Sequence, residues 1–265
     1  MAELVFLKLG GSLITDKNTP YTPRLAKLAE LAQELKSTLE HTPGLRLILG
    51  HGSGSFGHSA AKKHGTRGGV KTKEQWLGFT EVRFQAAELN RFVMKALLDS
   101  GIPALAFPPS STMVTMDGKA LSANIRAMRR ALSAGLLPVV YGDVVLDETR
   151  GGTILSTEDV FVHLAYEFYP QRILLAGLEA GVWEDFPAKT RLLNEINSNV
   201  HEKMRVKIGA SVSADVTGGM EAKVEAMLNL SKQIPGLTAQ IFSGEAQGNL
   251  SRALAGETVG TMIRA

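Results

Sequence analysis

The chain has 265 residues, 44% of them hydrophobic and 21% charged, the balance of a globular protein with a sizeable core and no wholesale disorder. Lys plus Arg number 29 against 26 Asp plus Glu, a net charge of +3 with no basic block of nucleic-acid type, so no nucleic-acid partner is expected and an anionic small molecule suits the excess as well. Cysteine is absent, which excludes disulfides, thiolate metal sites and cysteine nucleophiles; no apolar run reaches the roughly 18–20 residues of a membrane span, the first nine residues carry Lys8 and make no signal peptide, and the expected address is the cytoplasm.

Leu4 to Leu9 reads as a buried strand stopped by Gly10-Gly11. A helix follows a polar loop, with Thr22 as cap, Pro23 in its first turn, and Leu25, Leu28, Ala32, Leu35 and Leu39 at helical spacing. Leu45 to Leu49 is a second strand. A long helix runs from about Lys73 to Asp99, and Pro103 to Phe107 is a strand. Ser122 to Ala134 is helical, Leu136 to Tyr141 is a strand, and Gly142-Asp143 turns the chain into Val144-Val145-Leu146. Thr157 to Phe168 is a helix and Arg172 to Ala176 a strand. The end repeats the theme: a helix near Gly219 to Lys232, a strand Thr238 to Phe242, a short helix near Asn249 to Leu254 and a strand Gly260 to Ile263. Such alternation predicts an α/β fold with a mostly parallel, helix-covered sheet and no long linker. Functional loops then belong at the carboxyl ends of the strands.

Four glycine turns carry the chemistry. Lys8-Leu9-Gly10-Gly11-Ser12 ends the first strand, and Lys17 follows it. Backbone N–H groups approach an anion closely where no side chain intervenes, and two lysines on one transferring phosphoryl group match its spread of negative charge. Gly50-His51-Gly52-Ser53-Gly54-Ser55-Phe56-Gly57-His58 contains the dinucleotide spacing G-x-G-x-x-G. It follows the second strand rather than the first, however, and Glu74 and Glu81 fall at a helix instead of a strand end, so a substrate-phosphate cradle fits better. Of His51 and His58, one is expected to be functional, and His58 suits a phosphate oxygen. Asp143, after Gly142, sits where a carboxylate could orient lysines. Thr217-Gly218-Gly219 opens a helix with Lys223 one turn on, a nucleotide-phosphate arrangement. P-loop, protein-kinase, H-E-x-x-H and G-x-S-x-G patterns are absent.

In this order the turns resemble the amino acid kinase superfamily. His51 to His58, together with Gly78-Phe79-Thr80-Glu81-Val82-Arg83 through Glu88-Leu89-Asn90 and Gly101-Ile102-Pro103-Ala104, is similar to the isopentenyl phosphate kinase family and to the related fosfomycin kinases. The resemblance covers nearly the whole chain. It implies a three-layer αβα sandwich in one domain, with a substrate lobe to about residue 170 and a nucleotide lobe beyond. It also implies a homodimer, Mg-ATP as donor, and phosphorylation of isopentenyl phosphate in isoprenoid biosynthesis on the mevalonate pathway. A fosfomycin kinase or another small-anion kinase of the superfamily is the alternative.

Carried over by motif, Lys8 and Lys17 stabilise the transferring group, while Gly10, Gly11 and Ser12 line the phosphates. Gly52, Gly57 and His58 hold the substrate phosphate, Ser53 lies near ATP, Gly142 touches substrate and Asp143 orients lysines. Gly218, Gly219 and Lys223 hold the nucleotide. Two departures stand out. Ser53 replaces the middle of three glycines. The adenine-side turn, usually Thr-Asp-x-Asp-Gly-Val-Tyr, reads Ala176-Gly177-Leu178-Glu179-Ala180-Gly181-Val182-Trp183, which leaves Trp183 as the nucleotide contact. An apolar tail slot is expected among Trp76, Phe79, Val82, Phe84 and Ala86, with Phe79 the substrate contact. No carboxylate set for a protein-held metal is expected, magnesium travelling on ATP oxygens. A phosphate monoester is already anionic at neutral pH, so the site needs no general base.

Overall fold

A computed structural model describes residues 3–208 and 219–265, the former without the side chains of 204–208. The chain enters as β1 (Leu4–Leu9), a single turn α1 (Gly11–Ile14), α2 (Leu25–His41), β2 (Arg46–His51) and α3 (Gly54–His64). A short 3-10 turn (Thr66–Gly68) leads to α4 (Lys73–Asp99), β3 (Ala104–Ala106), α5 (Pro109–Thr112), β4 (Met113–Met116) and β5 (Lys119–Ala123). Next come α6 (Arg126–Ser133), β6 (Leu137–Tyr141), β7 (Asp143–Asp147), β8 (Gly151–Leu155), α7 (Thr157–Phe168) and β9 (Arg172–Gly177). The chain closes with β10 (Glu195–Ile196), α8 (Ser198–Ile208), α9 (Gly219–Gln233), β11 (Thr238–Ser243), α10 (Asn249–Leu254) and β12 (Thr261–Ile263).

Eight strands form the central sheet in the order β10-β12-β11-β9-β1-β2-β6-β3. Every pair is parallel except β11 with β12. β1 lies in the middle and is buried on both faces, which is why it reads as an almost unbroken apolar run. Its alternation divides the core. Leu4 and Phe6 join the cluster under α6, α7 and α9, whereas Val5, Leu7 and Leu9 join the one under α2, α4 and α10. The result is the expected αβα sandwich.

A second, four-stranded sheet, β5-β4-β7-β8, was not legible in the sequence. It takes Ser122 and Ala123 from the expected helix, which starts at Arg126. Asp147 organises its turns. This carboxylate accepts from Thr115 Oγ1 and from the backbone N–H groups of Asp117, Gly118, Thr149 and Arg150. α2 also begins later than expected. Thr22 donates to the Pro20 carbonyl rather than capping, and Pro23 pairs with Thr15 across the loop that carries Lys17.

Candidate active site

Because β1, β2, β6, β9 and β11 run parallel, their carboxyl ends open on one edge of the sheet. The turn after β1 and the turn after β2 meet there backbone to backbone. A Cβ on Gly11 would stand 2.4 Å from the Gly54 nitrogen, and one on Gly52 would stand 2.6 Å from the Gly11 nitrogen. Only glycine permits this approach. Gly10 N–H donates to Ala176 O at 2.7 Å, tying the first turn to β9 as well. α3 starts at this junction, and its N-cap Ser53 makes no side-chain cap bond; Ser55 N–H donates to Thr15 Oγ1 at 3.0 Å and Phe56 N–H to Ser53 O at 3.2 Å, so it is the positive end of the helix dipole that the edge receives. Gly57 is required by Ser53, whose Oγ would lie 2.5 Å from a Cβ there.

Lys8 is buried on β1, on the face that holds Phe6, and there it meets Glu158 at the start of α7. Burial pulls the Lys8 ammonium below its ordinary pKa, Glu158 pulls it back up, and the field of Lys223 lowers it further. For Glu158, burial raises the pKa, but Lys8 and Lys223 together outweigh it and hold the group ionised. Glu158 Oε2 takes Lys8, and Oε1 is buried without a hydrogen-bond partner. Lys8 and Glu158, from β1 and α7, thus share one low-dielectric spot, where Coulomb terms are large, and both feel the charge of half-buried Lys223 on α9.

The adjacent Ser156 and Asp159 form the capping box that starts α7. Between them Thr157 donates from Oγ1 to the His51 carbonyl at 2.6 Å. The helix that presents Glu158 is thereby fixed to the glycine loop after β2.

The two histidines of that loop have different environments. His51 is fully buried, stacked on Tyr141 with centroids 5.1 Å apart, its ring nitrogens 3.1 Å from Gly52 O and 3.2 Å from Asn90 Oδ1. Burial lowers its pKa to about 4, so it is a neutral structural group. His58 is exposed in the second turn of α3.

Asp143 is buried, its pKa raised by burial. It accepts from Ser110 N–H at 3.2 Å and Val144 N–H at 2.9 Å and stands 3.8 Å from Arg83 Nε. The carboxylate that orients Lys8 is therefore Glu158, a correction to the assignment of Asp143. Gly142 N–H donates to the His51 carbonyl at 3.3 Å, which joins the β6 end to the same loop. Phe79 packs with Trp76, Val70, Val82 and Val144. Ala86 is buried, but Phe84 points outward, 60% exposed, and drops out of the slot.

On the other side of the edge, Lys17 is exposed on its loop, and its charge acts on Glu179. Glu179 accepts from Trp183 Nε1 at 3.0 Å and pairs with Lys189 at 2.7 Å. The altered adenine-side turn has thus kept one carboxylate, and it holds the tryptophan. Gly219 opens α9 with φ +62°, and Lys223 is half-buried one turn later. Gly218 lies outside the described residues. Gly10, Gly11, Ser12, Ser53, Lys8 and Lys223 converge on one edge. Among the described residues no three His, Asp or Glu side chains group to hold a metal, and no helix is long and apolar enough to cross a membrane.

Sequence reasoning missed Glu158. A lysine inside a buried strand calls for a carboxylate, but the chain offers 26 acidic residues, and Ser156 to Asp159 reads as a helix cap alone.

The amino acid kinase family model matches residues 3–243. The chain is 34% identical over 269 residues to isopentenyl phosphate kinase from Methanocaldococcus jannaschii, covering 98% of each chain. It is 35% identical over 262 residues to isopentenyl phosphate kinase from Haloferax volcanii, covering 99% of each. It is also similar to a solved structure of isopentenyl phosphate kinase, with a TM-score of 0.84 at 30% identity over 98% of this chain and 100% of that one.

Proposed function

The chain belongs to the amino acid kinase family, and from that premise we propose that it transfers the γ-phosphoryl group of ATP to isopentenyl phosphate, forming isopentenyl diphosphate and ADP. The observation that carries this reading is the buried Lys8–Glu158 pair, with Lys223 in its field, beside two glycine turns pressed backbone to backbone. An acceptor-phosphate oxygen attacks the γ-phosphorus as the bond to the ADP oxygen breaks. No proton need move, because a phosphate monoester is already anionic near neutrality. The enzyme's task is positioning and charge stabilisation.

In this reading Lys8 and Lys17 flank the transferring group. Lys223 and the open end of α9, from Gly218-Gly219, hold nucleotide phosphates, and Glu158 Oε1 is the second acceptor that keeps Lys223 in place. Gly10, Gly11, Ser12 and Ser53 line the phosphates. Gly52, Gly57, His58 and Gly142 hold the acceptor phosphate, and Phe79 and Val82 floor the tail slot. Trp183, held by Glu179, meets the nucleotide. Magnesium enters on the donor as Mg-ATP, since Glu158 and Asp159 are already committed to Lys8 and to the α7 cap. The division into an acceptor lobe to about residue 170 and a nucleotide lobe beyond it is part of the same proposal, as is action in the cytoplasm.

A homodimer is proposed from the outer stripe of α4. Leu77 and Leu98 are 72% and 73% exposed at multiples of seven residues from Phe84, which also faces outward, and edge strand β3 presents Leu105 nearby. Sedimentation should give a dimer that Phe84→Glu with Leu98→Glu dissociates.

The activity test is ADP release from Mg-ATP with isopentenyl phosphate, dimethylallyl phosphate, fosfomycin, glutamate and UMP. The expected result is kcat/KM of roughly 10⁴ M⁻¹s⁻¹ or more for isopentenyl phosphate, well above the others. A preference for fosfomycin would keep the site and change the acceptor, and silence across the panel would overturn the reading.

A further inference from the structure

We propose that the Arg24–Glu245 pair is the positioning device for Lys17, a role that rests on the phosphotransfer reading above. Lys17 stands on a loop whose two ends are stitched together. Thr15 pairs with Pro23, Asp16 N–H donates to Thr22 O at 2.9 Å, and Arg24 N–H donates to Ile14 O at 2.9 Å. Inside the loop Asp16 accepts from Asn18 N–H at 2.8 Å. What remains to be fixed is where this stitched unit sits relative to the phosphates.

Arg24 supplies that reference. Its Nη1 donates to the Leu13 carbonyl at 2.9 Å, at the end of the turn that follows Gly10-Gly11-Ser12. The same guanidinium takes Glu245 in two bonds, one between Nη1 and Oε1 and one of 3.1 Å between Nη2 and Oε2. Glu245 belongs to the loop after β11, a segment distant in sequence. Lys27 is buried, donates to the Glu245 carbonyl at 3.0 Å and pairs with Glu30 at 2.8 Å. The neighbouring Gly244 is pressed onto the phosphate turn, since a Cβ there would lie 2.5 Å from Leu13 Cδ2. One planar fork therefore joins the phosphate turn, the base of the Lys17 loop and the loop after β11. Lysine cannot copy it, having a point charge in place of fixed, divergent donors.

Both side chains are about one-third exposed, and ion pairs so placed add little to stability. The pair's geometry spans three segments of the site, and a misplacement near 1 Å can cost on the order of 100-fold in rate. The Lys17 stem is long and flexible, so the base of its loop decides where its ammonium can reach.

The test is a kinetic cycle with Mg-ATP and isopentenyl phosphate on wild type, Arg24→Gln, Arg24→Lys, Glu245→Gln, Lys17→Ala and Lys17→Ala/Arg24→Gln. Arg24→Gln should lower kcat roughly 30- to 100-fold, with both KM values within about threefold and the melting temperature within a few degrees. Arg24→Lys should recover little, and Glu245→Gln, which removes charge and keeps shape, should fall in the same direction. The double variant should turn over no more slowly than Lys17→Ala alone, because a lysine that is gone cannot be misplaced. Losses that multiply in the double variant, or a rise in KM at constant kcat, overturn the positioning role and leave the phosphotransfer reading intact. If Lys17→Ala retains wild-type kcat, both the role of Lys17 in transfer and its positioning fail together.

Discussion

Replacing Glu158 with Gln removes one charge from a buried pair and leaves the shape. Breaking such a pair by removing one partner costs about 3–5 kcal/mol, because the other charge stays buried and uncompensated. The remaining charge is that of Lys8, already lowered by burial and held up by Glu158. If about 3 kcal/mol of the loss falls on the transition state, kcat drops roughly 100-fold at 1.36 kcal/mol per decade. A pH series separates this from general damage. In the proposed reaction turnover needs the Lys8 ammonium, so the rate should fall as pH rises through its lowered pKa, and in Glu158→Gln that alkaline limb should move to lower pH. Stability should shift in the opposite sense. A lysine whose folded pKa lies below its unfolded value destabilises the fold while it is protonated, so the variant's melting temperature should recover as pH rises through that folded pKa. Steady-state rates and thermal melts between about pH 6 and 10 measure both. A variant with wild-type kcat and an unmoved alkaline limb would show that Glu158 does not hold Lys8 for the reaction.

Gly11→Ala sets a methyl 2.4 Å from the Gly54 nitrogen, so the two turns must separate; kcat should fall by tenfold or more with about 1–3 kcal/mol of destabilisation, read by kinetics and urea melts. His51 is neutral with a pKa near 4, so wild-type stability should decline as pH drops from about 6.5 towards 4, by roughly 3 kcal/mol in all, and His51→Asn should flatten that slope in melts across the window. Asp147→Asn weakens a five-donor carboxylate whose hydrogen bonds depress its pKa. It should cost about 2 kcal/mol above pH 5, with little change in kcat, and the difference from wild type should shrink as the wild-type carboxylate is protonated in acid.

The fold was legible where periodicity and punctuation agreed. The spacing of β1, α4, α7 and α10 matches the structure because each is bounded by glycine, proline or a capping residue and is buried on a regular pattern. The second sheet was illegible because its strands are short and partly exposed, two antiparallel hairpins joined by a parallel β4–β7 pairing between segments distant in sequence, so they carry neither a long apolar run nor a clear alternation. The same contrast holds in the site. Glycines announce themselves because the backbone conformation and close approach they permit are local properties. Glu158 and Glu245 do not, because a carboxylate acquires its meaning from a lysine or arginine 150 or more residues away. Lys8 supplied half of that information, namely a charge where burial forbids a lone one. His51 shows the complementary limit: two histidines in one loop look alike in sequence, and the aromatic neighbour and the buried amide set the buried one apart.

The carboxylate count at the site follows from the charge of the reactants. Two anionic phosphates must approach, and every added carboxylate would oppose them. Three lysines without any carboxylate would repel one another, and the buried Lys8 would shed its proton, since burial already favours its neutral form. One carboxylate, paired with Lys8 and within the field of Lys223, resolves both difficulties. It opposes the pull of burial on the Lys8 ammonium, and it does so from a buried place at the start of α7. Lys17 stands on a surface loop, and in the proposed reading it needs a fixed origin, the part proposed for the Arg24 fork. The site thus divides its lysines by burial. The buried lysine is limited by protonation and the exposed one by placement, so Glu158→Gln should move a pH profile, whereas Arg24→Gln should lower kcat at every pH without moving it.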